Sequence, residues 1–551
     1  MRFIFTLLAL LWLCACAPAA PRADLILSGG PIYTGLDERP VEALAIRAGR
    51  VAFAGAAAEA EKLGGPETQR IDLKGAAAFP GFVDAHAHLR GVGERELTLN
   101  LEGVPSLAAL LERVAAQAAK TPEGALISGR GWIETKWPEA RFPTAADLDR
   151  VAPNHPVLLV RADGHALVAN SQALALSGIT AASKDPEGGQ ILRGPGGAPA
   201  GMLIDRAMGL TAGLQPEASA AARREALAAG LQVYARYGWV GMHNMSVPWA
   251  DVETLEAMAG AQPLALRVYN AVTPEAAAQL LAQGPRASAD GRVITRAIKY
   301  YVDGALGSRG AALFAPYADA PGQGLLLLQP GEAAAAYDAA LAKGLQVATH
   351  AIGDRGNALV LDWYEQAFAR KAPAQSPRWR IEHAQVLRPV DIPRFQQAGV
   401  IASMQPSHAI SDLHFAPARL GLQRLEGAYA WRSLRASGAV IAGGSDAPVE
   451  RGDPLIEFYA AAARQDLEGF SGEGWRPEEA LDRLGALKLF TSGPAFAAFE
   501  EAERGTLEPG KFADVSVFSV DLMRAPLGDI PKGRALLTLI EGRAAFRAEG
   551  W

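Results

Sequence analysis

Apolar residues fall into two kinds of run that alternate along the chain. Short runs rich in β-branched and aromatic residues are followed by longer Ala-rich stretches whose apolar positions recur at helical spacing. The short runs begin near Phe79, Trp239, Ala265, Ile294, Leu345, Trp379, Val400 and Ala439, with helical patterns such as Glu332 to Lys343 and Asn357 to Lys371 between them. Such alternation builds a parallel sheet covered by helices, and eight units close a (β/α)₈ barrel. One interval breaks the rhythm. Between the first and second runs lies a far longer stretch with its own helices and a strand-like Val157 to Val160. It reads as an insertion over residues 95–230. Within it, Gly129-Arg130-Gly131-Trp132, Asp163-Gly164-His165 and the Gly/Pro-rich Gly188 to Gly201 read as loops rather than core.

The two ends have a different texture. Asp24 to Ile32, Val41 to Phe53 and Arg70 to Leu73 are short alternating runs split by Gly-rich turns, as in an antiparallel sheet. Ala513 to Val520 and Leu536 to Ala545 repeat the style after the turn Glu508-Pro509-Gly510-Lys511. The expected class is therefore α/β: a TIM-like (β/α)₈ barrel over residues 79–503, its large insertion after the first strand, and a composite small β-sandwich from residues 23–78 and 504–551.

Composition narrows the partners. With 551 residues, 50% apolar and 20% charged, the chain can bury a large core. A net charge of -6 offers none of the basic excess that phosphate binding requires, so no nucleic-acid partner is expected. A small molecule fits better. Homo-oligomerisation is left open. One Arg precedes the apolar run Phe3 to Leu13, too short for a permanent membrane span and suited to an export signal. Leu13-Cys14-Ala15-Cys16 resembles a bacterial lipoprotein signature, which predicts cleavage and acylation at Cys16, with residues 1–16 as signal and a lipid-anchored protein outside the cytoplasm. An ordinary secretory signal cut after Ala17-Pro18-Ala19, giving a periplasmic protein, is the alternative. Both cysteines lie in this leader, so a metal in the folded body must use His, carboxylate or modified Lys.

Barrel chemistry sits at the C-terminal ends of strands, and the polar residues that close these runs form a consistent set. The first run ends in Asp84-Ala85-His86-Ala87-His88, where two His in extended backbone share a side. Alone, an H-x-H pair could equally be a polar surface turn. Later runs close in His350, His383 and Asp446, and imidazole with carboxylate suits zinc or a similar divalent ion, one or two of them. The fourth run carries Lys299 inside apolar sequence, where an unpaired ammonium is costly. Its amine either pairs with Asp303 or another carboxylate, or reacts with carbon dioxide to give a carbamate bridging two metals.

The set Asp84-Ala85-His86-Ala87-His88, Lys299 with Asp303-Gly304, His350-Ala351-Ile352-Gly353-Asp354, Ile381-Glu382-His383-Ala384-Gln385 and Gly444-Ser445-Asp446-Ala447-Pro448 resembles the amidohydrolase superfamily. Gly307-Ser308-Arg309, Phe142-Pro143-Thr144, Asp163-Gly164-His165 and the long insertion are similar to its YtcJ-like branch, the amidohydrolase 3 family, which includes N-substituted formamide deformylases. The resemblance implies that His86 and His88 bind one metal, His350 and His383 the other, Lys299 bridges them N-carboxylated, and Asp446 is both ligand and general base toward a metal-activated water. It implies hydrolysis of an amide-type carbon–nitrogen bond other than a peptide bond. In the branch, Gly131-Trp132 is commonly followed by Asp. Here Ile133-Glu134 follows, which puts the substrate contacts near Trp132 in doubt.

Trp132, His165, Arg309 and His408 are the expected substrate contacts, with Arg309 and Arg355 suited to a carboxylate although an ordinary salt bridge is the simpler role. His243 closes the second run and either lines the pocket or is structural. His155 and His414 read as solvated. A deaminase or ester hydrolase on the same barrel is the enzymatic alternative. Related deaminases carry a Glu three residues after the fifth-strand His, where this chain has Gly353. A surface lipoprotein that only binds is the non-catalytic one.

Overall fold

The computed structural model describes residues 22–214, 219–373 and 375–551. The leader with Cys16 lies outside the described residues. Eight parallel strands form the central sheet in sequence order: β1 (Phe82–Ala87), β2 (Trp239–Val247), β3 (Arg267–Val272), β4 (Val293–Tyr301), β5 (Gln346–Ala351), β6 (Arg380–His383), β7 (Ile401–Met404) and β8 (Ile441–Gly443). Each pairs in parallel with the next, with helices such as Pro330–Ala342 and Asp354–Arg370 between them. Trp239, Trp379, Tyr337 and Tyr364 are among the largest buried side chains and belong to the main core.

The seam between β1 and β8 is bridged by the Asp84 side chain and by backbone hydrogen bonds just beyond it. Asp84 Oδ1 accepts from the backbone N–H of His86 (3.0 Å) and of Ser445 (2.9 Å), while Oδ2 accepts from Ser445 Oγ (2.5 Å) and Tyr234 OH (3.0 Å). Beyond the strand ends, the Asp446 N–H donates to His86 O at 2.6 Å and the His88 N–H to Ala447 O at 2.8 Å. Burial pushes the Asp84 carboxyl up to about 6 against these hydrogen bonds. The latch holds the turns bearing His86, His88 and Asp446 in fixed relation.

Strands from both chain ends join one eight-stranded sheet with its own core. It is mixed rather than antiparallel: Leu25–Tyr33 runs antiparallel to Pro40–Arg47 but parallel to Gln69–Asp72. Val515–Phe518 pairs with Ala77–Pro80, the strand that leads into β1.

The insertion carries a six-stranded sheet, and two of the three segments expected as loops depart from that reading. Ile127–Trp132 is a strand with Trp132 fully buried, and Gly189–Arg193 pairs with Pro199–Asp205 as a hairpin. Its Gly and Pro residues mark the turn, not an unstructured span. Asp163-Gly164-His165 alone of the three stays a turn, between Val157–Arg161 and Ala166–Ala169. The expected boundaries at 95 and 230 fall inside helices Leu89–Leu97 and Ala220–Tyr237, which pack together as barrel helices. A Cβ on Gly93 would meet Ala226 O at 1.7 Å, so only glycine allows this crossing.

Candidate active site

Five strand ends supply the site. His86 stands within β1 and His88 follows it. Lys299 nears the end of β4, His350 lies in β5, His383 ends β6, and Asp446 follows β8. His86, His88 and Asp446 offer ligand atoms within 4.8 Å of one another, and so do His383, His408 and Asp446. Asp446 thus joins two sets. The His350 ring lies 4.5 Å from that of His383, which lies 4.7 Å from that of His86. His350 belongs to neither three-residue set; its Nε2 faces Gly304 O and Asp303 Oδ1, each at 3.5 Å.

The proton positions on these rings follow from their outer neighbours. His88 Nδ1 faces the Met245 carbonyl at 3.1 Å, and His86 Nδ1 faces the Glu382 carboxylate at 2.5 Å. Neither partner can donate, so each Nδ1 carries the proton. His383 Nδ1 likewise donates to Gln405 Oε1 at 2.9 Å, and the orientation of that amide is set by its Nε2 donating to Ser403 O. Burial, followed by the nearby Lys299, drives the His86 imidazole well below its ordinary range; burial does the same to His350 and His383. The rings of His86, His350 and His383 are therefore neutral. The lone pair of His86 Nε2 then meets Asp446 Oδ1 at 3.5 Å, and His88 Nε2 stands 3.1 Å from the same oxygen. Electron pairs that converge with no proton between them repel unless a cation lies among them, so this donor set fits a divalent metal.

Lys299 is buried, its Nζ 3.5 Å from His86 Nε2 and 4.5 Å from the Tyr301 ring centroid. Burial lowers its ammonium to about 8. The alternative partner is otherwise engaged: Asp303 accepts from the backbone N–H groups of Ala312, Ile352 and Gly353 at 2.8 to 3.0 Å.

A cavity of about 970 Å³ opens over the cluster, lined by barrel residues and by His165, Arg130, Arg161, Asp163 and Asp205 of the insertion. Of the expected substrate contacts, His165 and His408 line it. His165 Nδ1 is fixed by Asp205 Oδ1 at 2.6 Å, a partnership that outweighs burial and raises the imidazole. His408 Nδ1 accepts from Gln385 Nε2 at 3.0 Å, which leaves the proton on Nε2, a nitrogen 3.5 Å from Asp446 Oδ2. Trp132 and Arg309 are corrected. Trp132 packs on Trp137 and Phe142 in the insertion core, its indole N–H donating to Leu159 O. Arg309 forms a surface ion pair with Asp319. His243 is structural, its Nδ1 bonded to Arg380 at 2.7 Å within the barrel. His155, expected to be solvated, is buried against Ala125 O, and His414 pairs with Asp466.

The family model described as "Amidohydrolase family" matches residues 69–546. The chain belongs to the amidohydrolase family. It is similar to YtcJ of Bacillus subtilis (strain 168), at 35% identity over 95% of this chain and 99% of that one, and to an N-substituted formamide deformylase of Arthrobacter pascens, at 27% over 96% and 99%. An uncharacterized metal-dependent hydrolase from Pyrococcus horikoshii OT3 shares its structure with a TM-score of 0.74 and 27% identity, over 92% of this chain and 99% of that one. This amidohydrolase is thus a metal-dependent hydrolase of carbon–nitrogen bonds other than peptide bonds.

Four supporting residues of the amidohydrolase escaped the sequence reading: Arg380 and Glu382 under His86, Gln405 behind His383, and Asp205 behind His165. The first two carried a signal. Charges alternating with Ile381 in a short apolar run share one side of the strand and must pair there when buried.

Proposed function

We propose that this amidohydrolase cleaves an amide-type carbon–nitrogen bond of a small molecule outside the cytoplasm, with Asp446 as general base. The observation that carries the reading is the convergence of two imidazole nitrogens, of His86 and His88, and the Asp446 carboxylate on one point. His86, His88 and Asp446 would hold one divalent ion, zinc by donor type, and His350 and His383 would hold a second, with N-carboxylated Lys299 between them. Such ions supply Lewis acidity, which acidifies a water and polarises a carbonyl. Asp446 would accept a proton from the attacking water and return it to the leaving amine, with His408 Nε2 3.5 Å from its Oδ2. An amine with a pKa of about 8 is partly neutral at physiological pH, as carbamate formation requires. The cavity volume suits a small ligand, and the formamide deformylase among its relatives acts on an amide-type bond.

Deamination is disfavoured by Gly353. A Cβ there would meet Ala312 O at 2.0 Å, so the turn has no room for the Glu that related deaminases carry.

The test is metal content of the chain lacking residues 1–16, loaded with zinc and bicarbonate, beside Lys299→Ala, followed by a panel of N-formyl and N-acyl amines. About two ions per chain, falling in the variant, with release of free amine, is expected. No metal in either after reconstitution overturns the reading and leaves a binding lipoprotein. For export with a lipid anchor at Cys16, labelling with a palmitate analogue in wild type but not in Cys16→Ser is expected; equal labelling refutes it.

A further inference from the structure

The cavity holds a cation that the cluster does not use. Arg130 stands on the insertion strand Ile127–Trp132, whose register against Val157–Arg161 slips between Arg130 and Trp132. Gly131 at the slip has φ 104, and a Cβ there would lie 2.9 Å from Glu102 N, so glycine is needed on both counts. Such a bulge re-aims neighbouring side chains. Trp132 goes into the insertion core and Arg130 into the cavity. A Cβ at Gly91 would be 3.7 Å from Arg130 Nη1 and 3.1 Å from Pro448 Cγ, which sets the guanidinium over the turns that carry His88 and Asp446.

Its hydrogen bonding is incomplete. Of the five N–H groups of a guanidinium, one on Nη2 reaches Ala162 O at 3.3 Å, and the buried Nε has no partner. Among the described residues no carboxylate forms an ion pair with it. The neighbouring arginines differ: Arg161 binds Glu134 and Asp163, and Arg90 binds Glu94 and Asp251. Arg206 is exposed at the rim and donates to Leu327 O. The acids are mostly matched as well, Asp163 by Arg161, Asp205 by His165 and Asp251 by Arg90 and Arg223. Burial raises the carboxyls of Asp412 and Glu450 to about 7 and about 8, which reduces the negative charge they bring near neutral pH.

A guanidinium partly withdrawn from water, its Nε buried and without a partner, is in the state that a bound anion relieves. Its planar fork matches a carboxylate. Asp446, Glu94 and Asp163 act on Arg130 through space, which penalises a doubly charged group and favours a single charge.

We propose that Arg130 binds a carboxylate of the substrate near the scissile bond, so that the enzyme selects carboxylate-bearing amides, in the simplest case N-acylated amino acids, over neutral amides. The proposal rests on the amide reading above, and the experiment separates the two. Zinc-loaded wild type, Arg130→Lys and Arg130→Gln are given an N-acylated amino acid and the N-acyl alkylamine of the same skeleton without its carboxylate. Wild type is expected to prefer the acid by about 10- to 100-fold in kcat/KM, the worth of a charge-assisted hydrogen bond pair. Arg130→Gln should lose that preference mainly through KM, with the neutral amide changed less than about 3-fold and metal content unaltered; Arg130→Lys, a point charge without the fork, should fall between. Equal rates on both compounds in wild type, or an equal loss on both in Arg130→Gln, would overturn the proposal. If neither compound is cleaved, the amide reading fails, and calorimetric titration of the acid then decides Arg130 alone: binding lost in Arg130→Gln supports it, binding unchanged or absent in wild type refutes it.

Discussion

The proton on His86 is assigned by Glu382, and Glu382 is assigned by Arg380. Arg380 reaches Glu382 through Nε at 2.7 Å and Nη2 at 3.0 Å, and also binds His243 Nδ1, Ser403 Oγ and Ala85 O. All of these side chains are buried. Glu382→Gln keeps the volume but weakens the acceptor that points the His86 lone pair at Asp446. We predict zinc bound about 10- to 100-fold more weakly by chelator competition, with the metal-free thermal midpoint recorded to separate fold from site. An unchanged affinity would reduce Glu382 to a filler of the barrel. At this scale the sequence was informative where His350, His383 and Asp446 close apolar strands, although His243, which closes another, is structural. It was silent on Arg130, whose direction depends on a bulge set by the fit of Gly131 against Glu102.

Phe142-Pro143-Thr144 begins helix Ala145–Asp149 with a capping box. Thr144 Oγ1 accepts from the Asp147 N–H, and Asp147 accepts from the Thr144 N–H at 2.9 Å. Burial pushes the Asp147 carboxyl up, but hydrogen bonds from Arg141 and Thr144 outweigh it and hold the group at about 2. The folded pKa is depressed below the ordinary 3.8, so the stability it contributes is present above about pH 4 and is lost as pH falls toward 2. Asp147→Asn should lower the thermal midpoint at pH 6 while lessening the drop seen in wild type between pH 4 and pH 2.5. The same acid sensitivity in both proteins would sink this assignment. The barrel elements were legible because each β run announced itself against helical spacing. The sheet of the insertion was not: glycine marks hairpin turns, bulges and loops alike, and only pairing partners distant in sequence distinguish them.

The composite sheet sets how the barrel begins. Gly81, which joins Ala77–Pro80 to β1, donates to Asp514 O at 2.8 Å, so the strand that ends at the His86 and His88 cluster starts from a residue tied to the C-terminal segment. The carboxylate of Asp514 also binds Arg267, the first residue of β3, at 2.8 and 3.2 Å, and Arg267 and Arg292 share Glu541. Arg267 lies over the Phe512 ring and is buried. Removing one partner of such a pair leaves an uncompensated charge, costing about 3 to 5 kcal/mol, whereas replacing both by apolar groups can be neutral. Asp514→Ala is therefore predicted to lower the thermal midpoint strongly, and Arg267→Met with Asp514→Leu to recover most of it. Zinc affinity of the folded fraction should change little in either, because the Asp84 latch fixes the far ends of β1 and β8 independently of their roots. If the double variant stays as unstable as the single, the ion pair is needed for orientation and not merely for charge balance; if Asp514→Ala is as stable as wild type, the composite sheet is not anchored to the barrel through this pair.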